Sequence, residues 1–566
     1  MVTKREANQP GDIKDNYDWI IVGSGAGSII SGLLGQSIGR QVLILEKEDK
    51  IGGSAALSGG VIWIPNNSVM KEAGIADSHA DAVTYLNACA GKPGPGSTLA
   101  QREAYLRNGP KAIDFLRGKG MEFLSPPHYS DYHEGEFPGA LPGGRSLVAK
   151  LFDLNELGDE ADRLRRHPPA GEIPGAVPEL TLLTLGGRGW ASKRAFVKVG
   201  LRMLRKKLGS QLVGMGAALQ GRLLKIAIEN KLPIYSDCPV EELLVENDRV
   251  TGVVFHHRGE RRTVRSKYGV LLNAGGFARN AEMRAKYHNQ PSSTDWTLAN
   301  PGDTGEMLQA GMRLGAATNH LDLCVWTTSS LPPGAPPIFT LTDMSKPHAI
   351  LVDSSGARYV NEATSYVKVG LAMYERNRSV PAIPSWIIAD SIHRKRYFMA
   401  GSAPGKINPE WIEQGFILKA DTIAELERKC GIKQGGLTAT VERFNGFCRA
   451  GRDEDYNRGR SKWDNFLGDH TNRPNPNLGE ITEAPFYAMR AVPGDVGTFG
   501  GLVTDENARV LRPDGSLIEG LYAAGNIAAP VTGRSYPGAG ASIGPALVFS
   551  YIATSHALGI NSAPAG

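Results

Sequence analysis

A glycine-rich segment near the end of the chain carries the residues with the clearest chemical potential. Positions 533–544 read Gly-Arg-Ser-Tyr-Pro-Gly-Ala-Gly-Ala-Ser-Ile-Gly and come shortly after Leu-Tyr-Ala-Ala-Gly-Asn at 521–526. The turn precedes an apolar stretch that we expect to be helical, so its backbone N–H groups can face an anionic or electron-rich group. Tyr536 lies at the start of this turn. A hydroxyl beside a row of amide donors is suited to polarising a ketone, and the segment predicts that chemistry.

The N-terminal region has the elements that bind a dinucleotide. Positions 17–22 predict a buried strand, 29–38 a helix and 41–46 a second strand, and Gly-Ser-Gly-Ala-Gly-Ser separates the first strand from the helix. Glu46 lies 23 residues after Gly23, where an acid binds ribose hydroxyls. Ser28 replaces the third glycine of the fingerprint, and a small residue there still allows the helix to approach the strand. Together these elements predict a Rossmann-type βαβ unit.

A second small-residue loop favours FAD over a nicotinamide cofactor. Positions 51–60 read Ile-Gly-Gly-Ser-Ala-Ala-Leu-Ser-Gly-Gly, which lets backbone lie against a flat ring system. The pattern resembles the fumarate reductase-like group of FAD enzymes, whose covalently flavinylated members carry a histidine in this loop. Positions 54–60 contain no histidine, so we expect non-covalent FAD.

Three later segments fit the same cofactor. Positions 269–276 predict a buried strand that ends in small residues, and 240–245 with 249–255 predict a hairpin around Asn247 and Asp248. Positions 520–526 resemble the strand and turn that hold the ribityl chain in related flavoproteins. The residues expected to contact FAD are Gly23, Ser24, Gly25, Ala26, Gly27, Ser28, Glu46, Lys47, Gly53, Ser54, Ser58, Gly59, Gly60, Val240, Ala274, Gly275, Asp303, Gly525, Asn526, Gly540, Ser542 and Ile543.

These segments are far apart in the chain, which predicts a discontinuous domain. The expected fold is α/β, with a Rossmann-like FAD-binding domain of discontinuous segments and an inserted α+β catalytic domain. The first part of the FAD-binding domain is expected at 17–326, the catalytic or substrate domain at 327–497 and the second FAD-binding part at 498–566. Positions 1–16 are expected to form a flexible tail, and a basic amphipathic insertion is expected near 150–210.

Several motifs resemble those of the 3-ketosteroid Δ1-dehydrogenases. They lie at 58–65, 493–505, 525–526 and 534–545, and the resemblance extends from about 18 to 557. It implies that Tyr536 and the amide of Gly540 bind the C3 carbonyl oxygen, that Tyr366 removes a C2 proton, and that Tyr132 assists. It also implies that hydride passes from C1 to the flavin N5, which gives a 1-ene-3-one. The implied partner is a small apolar steroid.

Two of these tyrosines have competitors in the sequence. Around Tyr366 the family pattern is imperfect, since Ala357 replaces an acid and Tyr359 replaces a phenylalanine, so Tyr359 is an alternative base. Tyr129 is the alternative to Tyr132. The chain holds 17 tyrosines, most of which are expected to be packing residues. Asp131 and Glu362 are expected to be structural hydrogen-bond partners.

Other functions stay open from the sequence. A fumarate reductase-like dicarboxylate enzyme would need arginines and a histidine, but the chain has Phe499 before Gly-Gly, and Arg534 is the one candidate clamp. A 3-ketosteroid 4-ene (5α) dehydrogenase, a 3-oxo-triterpenoid dehydrogenase and a non-catalytic flavin-binding protein are the further alternatives. The electron acceptor is open between a quinone and oxygen.

Charge and composition limit the partners. The net charge of +5 is too small to predict nucleic-acid binding. Five scattered cysteines without a Cys-x-x-Cys pattern indicate neither a disulfide framework nor a zinc site. We therefore expect no metal, and we expect a cytoplasmic location. Positions 193–207 combine seven basic residues with apolar ones and no acid. We interpret them as a solvated helix packed on the protein, and a peripheral membrane contact is the alternative.

Overall fold

A parallel sheet forms the centre of one of the two parts of the molecule. The computed structural model describes residues 12–167 and 173–560. Five strands lie side by side in the order Leu517–Ala523, Val270–Leu272, Trp19–Val22, Val42–Leu45 and Ile234–Tyr235. All neighbouring pairs are parallel, and Ile20 lies between Val270 and Leu43. The chain is therefore mixed α/β with a parallel sheet, as predicted.

Helices cover the parallel sheet because its central strands are apolar on both faces. Trp19–Val22 and Val42–Leu45 are buried throughout, which is typical of parallel strands between helical layers. The helices Ala26–Ser37 and Ile543–Ala557 pack against each other. A Cβ atom on Gly27 would lie 2.5 Å from the carbonyl oxygen of Ala546, so only glycine allows this close approach. The helix Met215–Glu229 packs beside Ala26–Ser37.

A three-stranded antiparallel meander extends the parallel sheet. Its strands are Val240–Glu246, Arg249–His257 and Glu260–Ser266. The turn residues Asn247 and Asp248 have φ angles of 49° and 60°, a conformation that Asn and Asp tolerate. The predicted hairpin around these two residues is confirmed.

A six-stranded antiparallel sheet forms the centre of the other part of the molecule. Its strands are Ile338–Phe339, Cys324–Ser330, Phe486–Thr498, Ser385–Ala389, Ala349–Val352 and Ile417–Ala420. The helices of this part are Leu341–Met344, Tyr366–Asn377, Ser391–Arg396, Pro409–Glu413, Ile423–Cys430, Gly436–Ala450 and Lys462–Leu467. Tyr366–Asn377 packs on Cys324–Ser330, where a Cβ atom on Gly370 would lie 2.5 Å from that of Trp326.

Shorter elements complete the part of the molecule around the parallel sheet. The remaining helices are Gly53–Leu57, Ser68–Glu72, His79–Ala90, Leu99–Gly118, Ala281–Tyr287 and Glu306–Arg313. A small sheet combines Val61–Trp63, Ser146–Ala149 and Phe123–Leu124. In the segment predicted as a tail, residues 1–11 lie outside the described residues, whereas Ile13 is buried and the strand Asn16–Tyr17 pairs with Glu260–Ser266.

Two packed helices occupy the predicted basic insertion. We call Val177–Leu183 the inner helix and Gly189–Lys207 the outer helix. The strand Phe152–Asp153, which precedes the two helices, pairs with Leu212–Val213, which follows them. A 3-10 segment spans Leu154–Arg163. Among the residues that the structure describes, no helix combines the length and apolar character that crossing a bilayer requires.

Candidate active site

A cavity of about 870 Å³ lies where the parallel sheet meets the antiparallel sheet. Val22, Leu45 and Asn273 line it at or just beyond the carboxyl ends of the parallel strands, and Phe339 and Val496 line it from the other sheet. This edge of a parallel sheet is the usual location of a ligand site in such folds. The volume is at the upper end of the ~300–1,000 Å³ range of small-molecule pockets.

One end of the cavity has the geometry of a dinucleotide site. The helix Ala26–Ser37 begins at the cavity wall without a side-chain cap, so its first N–H groups can bind an anion. Glu46 accepts hydrogen bonds from the amide and the hydroxyl of Ser24, at 3.0 and 2.5 Å. Burial raises the pKa of Glu46, and the hydrogen bonds from Ser24 oppose that rise. The residues present therefore fit a pyrophosphate beside a ribose.

Asp303 joins two glycine-rich loops in the middle of the cavity. Its carboxylate accepts hydrogen bonds from the amide of Gly276 at 3.1 Å and from the hydroxyl of Ser54 at 3.2 Å. Burial raises the pKa of Asp303 to about 6. Gly275 has a φ of 73°, and a Cβ atom there would lie 2.1 Å from an Asp303 carboxylate oxygen. Since no Cβ atom fits, backbone alone faces the cavity here, and a flat ring can lie against it.

Most residues expected to contact a cofactor line this cavity. They are Gly23, Ser24, Gly25, Ala26, Glu46, Lys47, Gly53, Ser54, Ser58, Gly59, Val240, Ala274, Gly275, Asp303, Gly525, Asn526, Gly540, Ser542 and Ile543.

Three residues from the same set, Gly27, Ser28 and Gly60, lie behind the cavity wall. Gly27 packs against the helix Ile543–Ala557, as described above. Ser28 is fully buried and donates a hydrogen bond of 3.0 Å to the side-chain oxygen of Asn273. Gly60 has a φ of 64°, and a Cβ atom there would lie 2.3 Å from the backbone of Met215. In the structure these positions support the wall rather than form it.

Tyr132, Tyr366 and Tyr536 meet at the other end of the cavity. Their ring centroids are 5.4 Å apart for Tyr132 and Tyr366, 5.9 Å for Tyr366 and Tyr536, and 6.0 Å for Tyr132 and Tyr536. All three line the cavity, as does Gly540. The hydroxyl of Tyr536 lies 3.0 Å from that of Ser542, and the nearby backbone N–H groups of Ser542 and Gly540 act to lower the pKa of Tyr536. Three phenols and one amide donor therefore converge.

Backbone contacts set the positions of these tyrosines. Tyr366 is the first residue of the helix Tyr366–Asn377, while Tyr132 and Tyr536 lie in loops. The carbonyl oxygen of Pro537 accepts a hydrogen bond of 2.6 Å from the buried phenol of Tyr85. Gly540 has a φ of 92°, and a Cβ atom there would lie 2.4 Å from the carbonyl oxygen of Val61. Tyr536 and Gly540 therefore belong to a tightly packed turn.

Asp131 supports the loop that carries Tyr132. It forms a buried ion pair with Arg145 at 2.8 Å and accepts a hydrogen bond of 2.8 Å from the indole of Trp63. The predicted structural role of Asp131 agrees with these contacts.

Glu362 similarly supports the segment before Tyr366. It pairs with Arg358 at 2.7 Å and with Arg458 at 3.1 Å. The segment 357–362, which carries the imperfect family pattern, is an irregular loop in the structure. Ion pairs of its charged side chains, rather than strand pairing of its backbone, hold this segment in place.

Burial and mutual contact control the ionisation of the three phenols. Burial raises the pKa of Tyr132 and of Tyr366 well above the usual value, and it raises the pKa of Tyr536 as well. Charge repulsion from Tyr536 and a hydrogen bond with it act with burial and raise the pKa of Tyr366. A hydrogen bond from Tyr132 acts in the opposite direction on Tyr366, while the same bond raises the pKa of Tyr132. Tyr132 therefore makes Tyr366 a stronger acid than burial alone would.

The two competing tyrosines have different surroundings. Tyr359 does not line the cavity, and its hydroxyl lies 2.7 Å from that of Ser385. Tyr129 does line the cavity, and its ring is 5.0 Å from that of Phe466 and 5.9 Å from that of Trp463. The structure thus separates Tyr359 from the tyrosine cluster but leaves Tyr129 beside it.

Part of the cavity wall was missed from the sequence. Phe339, Trp463 and Phe466 form an aromatic wall near the tyrosines, and Trp463 is 4.2 Å from Tyr132 between ring centroids. The inner helix and the turn after it also contribute, through Val177, Leu180, Thr181 and Thr184. The three-residue spacing of Trp463 and Phe466 after the cap residue Ser461 is the sequence signal that could have indicated a helical aromatic face.

Within residues 12–167 and 173–560, no arginine or lysine at the tyrosine end of the cavity could clamp a carboxylate. Phe499 packs against Tyr536 with ring centroids 5.5 Å apart. Arg534 does not line the cavity and pairs with Asp322 at the surface. Among the described lining residues, those with basic side chains are Arg313, Lys47 and His167, and His167 lies 2.7 Å from the carbonyl oxygen of Leu57. Lys47 is already paired with Glu306, which begins the helix that Arg313 ends.

Comparisons with known proteins identify relatives of this chain. Residues 18–543 match the family model described as an FAD binding domain. The chain is 40% identical to a 3-oxosteroid 1-dehydrogenase of Mycolicibacterium smegmatis over 95% of this chain and 96% of the relative. It is 33% identical to a 4-oxocyclohex-2-ene-1-carboxylate 5-dehydrogenase of Sinomonas cyclohexanicum over 94% of this chain and 92% of the relative.

A solved structure is also similar to this chain over nearly its whole length. It is the 3-ketosteroid delta1-dehydrogenase from Sterolibacterium denitrificans in complex with 1,4-androstadiene-3,17-dione. The TM-score is 0.91 and the sequence identity 35%, with 97% of this chain and 100% of the other covered.

Proposed function

The chain belongs to the FAD-binding family of the 3-oxosteroid 1-dehydrogenases, and from this premise we propose that it introduces a double bond between C1 and C2 of a 3-ketosteroid. The observation that carries the proposal is the convergence of Tyr132, Tyr366, Tyr536 and the Gly540 amide at one end of the cavity. Hydrogen-bond donors that face one point can hold a carbonyl oxygen while charge develops on it.

FAD is the cofactor, and we assign its binding to the glycine-rich part of the cavity. The N-terminus of Ala26–Ser37 would bind the pyrophosphate, Glu46 the ribose and Val240 the adenine, with the loops at Gly53 and Gly275 against the flavin ring. Positions 54–60 offer no histidine for a covalent bond. When bound, FAD supplies the acceptor for the hydride that leaves C1.

The protein's own groups then control the ketone and the neighbouring proton. Tyr536 and the N–H of Gly540 donate to the C3 oxygen and stabilise its negative charge, and one such donor contributes about 3–4 kcal/mol in a buried site. Tyr366 accepts the C2 proton. Tyr132 donates to the Tyr366 oxygen and favours its ionised form. The aromatic wall around Trp463 excludes water from these groups.

The cavity favours a neutral apolar ketone over a dicarboxylate. The tyrosine end is walled by Phe339, Phe466 and Trp463, and Arg534 is engaged with Asp322 outside it. A buried carboxylate without a basic partner would be strongly disfavoured. The parallel sheet is proposed as the core of a discontinuous FAD-binding domain, and the antiparallel sheet as that of an inserted substrate domain.

Turnover with a defined steroid tests the proposal. FAD-loaded enzyme should bleach a dye acceptor when 4-androstene-3,17-dione is added, and the product should be two hydrogens lighter with a new C1–C2 double bond by NMR. The saturated 5α-3-ketone distinguishes this activity from 4-ene formation. Replacing the dye by a quinone or by oxygen compares the two predicted acceptors. A FAD-loaded enzyme that oxidises neither steroid would overturn the proposal.

A further inference from the structure

The outer helix, Gly189–Lys207, exposes an unusual amount of apolar surface. Fourteen large apolar side chains are exposed among the described residues, and half of them lie between positions 190 and 208. Such clusters on a soluble protein mark a surface that contacts another apolar body. The remaining exposed apolar residues are scattered singly over the molecule, which needs no such explanation.

Five of the seven exposed apolar residues form one straight stripe. Trp190, Val197, Leu201 and Leu204 lie on the outer helix, Leu208 is its C-cap, and each is between 54% and 80% exposed. They follow one another by seven, four, three and four positions. At 3.6 residues per turn, these steps keep all five side chains on one face. We call this face the apolar stripe.

The opposite face of the outer helix is the one that packs on the protein. Ser192, Ala195 and Val199 are buried, and Ala195 and Val199 contact Leu183 of the inner helix. The hydroxyl of Ser192 donates a hydrogen bond of 2.8 Å to the carbonyl oxygen of Leu182. Because Ser192, Ala195 and Val199 occupy the packed side, the five residues of the apolar stripe point away from the molecule.

Basic residues flank the apolar stripe. Lys193, Arg194, Lys198 and Arg205 are exposed and lie on either side of it, and the outer helix contains no Asp or Glu. An apolar face bordered by Lys and Arg is complementary to a membrane surface, where acyl chains lie beneath anionic headgroups. A second protein surface would need both an apolar strip and acidic borders to match it equally well.

The inner helix connects the outer helix to the cavity. Val177, Leu180 and Thr181 of the inner helix line the cavity on one side, and Leu180 also packs against the cluster that holds the outer helix on the other. Arg202 fixes the pair through an ion pair of 2.6 Å with Glu179. The inner helix thus lies between the outer helix and the cavity.

We propose that the outer helix docks the enzyme on an anionic lipid bilayer, with the apolar stripe among the acyl chains and the flanking Lys and Arg at the headgroups. Docking places the inner-helix side of the cavity against the membrane, where an apolar steroid is concentrated. The docking itself is independent of the catalytic assignment, and only the delivery of steroid rests on the proposed function.

Vesicle flotation of the FAD-loaded protein tests the docking. The protein should float with vesicles of phosphatidylcholine and phosphatidylglycerol and should float far less with phosphatidylcholine alone. The triple variant Val197→Ser, Leu201→Ser, Leu204→Ser should lose flotation. The matched control Leu99→Ser, Leu124→Ser, Leu331→Ser replaces exposed leucines elsewhere and should float like the unmodified protein.

A second pair of variants tests the charges. Lys193→Gln, Lys198→Gln, Arg205→Gln should weaken binding to anionic vesicles about fivefold for each charge removed. The control Lys395→Gln, Lys419→Gln, Lys433→Gln removes three exposed charges elsewhere and should have little effect.

Three results would overturn the proposal. They are absence of flotation with anionic vesicles, equal flotation of the apolar-stripe variant, and a dimer in sedimentation velocity that only the apolar-stripe variant dissociates. The last would assign the stripe to a second copy of the chain.

Activity measurements separate delivery from catalysis. The apolar-stripe variant should oxidise 4-androstene-3,17-dione in cyclodextrin at the unmodified rate, but its KM for 4-cholesten-3-one in anionic vesicles should rise. If the unmodified enzyme floats yet oxidises neither steroid, the proposed function fails and the docking stands. An unchanged KM in vesicles would contradict the delivery step.

Discussion

The amide nitrogen of Tyr132 donates a hydrogen bond of 2.9 Å to the carbonyl oxygen of Pro537. This bond joins two loops that are about four hundred positions apart in the chain and that each carry one phenol of the cavity. The same carbonyl oxygen accepts from Tyr85, so both of its lone pairs are used. The distance between the rings of Tyr132 and Tyr536 is therefore set by backbone, while Tyr366 approaches from a third element.

Tyr536→Phe should remove the phenol donor to the ketone oxygen and leave the fold intact. Loss of one such donor lowers kcat about 100- to 1,000-fold in comparable oxyanion sites. FAD content, measured by absorbance, should be unchanged. Tyr551→Phe is the matched control, because Tyr551 is a half-buried phenol that does not line the cavity. Near-normal turnover by Tyr536→Phe would contradict its role as the carbonyl donor.

Tyr366→Phe should abolish exchange of the C2 proton with solvent deuterium, because phenylalanine cannot accept a proton. The exchange is followed by mass spectrometry with a 3-ketosteroid and FAD-loaded enzyme. Tyr359→Phe provides the control, since Tyr359 is a half-buried phenol that lies outside the cavity lining, with its hydroxyl 2.7 Å from that of Ser385. Persistent exchange in Tyr366→Phe together with its loss in Tyr359→Phe would transfer the base role to Tyr359.

The parallel part of the fold could be predicted from sequence because its signals are local. The strand before Gly23, the helix after it and Glu46 all lie within one short segment, and the structure has the helix at Ala26–Ser37 and the second strand at Val42–Leu45. The predicted helix began three residues late, because the glycines at 25 and 27 were read as turn residues. Gly27 is instead inside the helix, where close packing requires it.

The aromatic wall and the outer helix were harder to predict because both depend on tertiary packing. Nothing near Trp463 in sequence indicates that its helix meets Tyr132. In the outer helix, apolar residues occur on both faces, and the sequence favoured an ordinary packed helix with a solvated face. The structure has a helix packed on the protein by Ser192 and Ala195, in agreement with that interpretation, and it also leaves Val197 and Leu201 exposed.

Tyr132→Phe should shift the pH dependence of the reaction. If Tyr366 acts as phenolate, kcat/KM rises with pH until Tyr366 is ionised. The hydrogen bond from Tyr132 lowers the pKa of Tyr366, so removing the hydroxyl raises that pKa and moves the profile to higher pH. A displacement of one pH unit reduces the rate at neutral pH about tenfold.

Tyr129→Phe is the control for this pH profile. Tyr129 also lines the cavity, and it was the alternative to Tyr132 in the sequence. Its variant should not move the profile to higher pH, because Tyr129 acts on Tyr366 through charge repulsion, which raises the pKa of Tyr366, and removing that phenol cannot raise the pKa further. A shift in Tyr129→Phe with none in Tyr132→Phe would exchange the two assignments.

Gly540→Ala should damage both the turn and the activity. Gly540 has a φ of 92°, and the new Cβ atom would lie 2.4 Å from the carbonyl oxygen of Val61, so the turn must move. Gly39→Ala isolates the conformational part, because Gly39 has a φ of 77° with no atom within 4 Å of a built Cβ. Each substitution costs about 1–2 kcal/mol for the left-handed backbone. Thermal unfolding should show a larger loss for Gly540→Ala, and steady-state kinetics should show reduced kcat only there. Equal unfolding temperatures and unchanged kcat in both variants would mean that the turn is not held as described and that the amide of Gly540 does not contact the ketone.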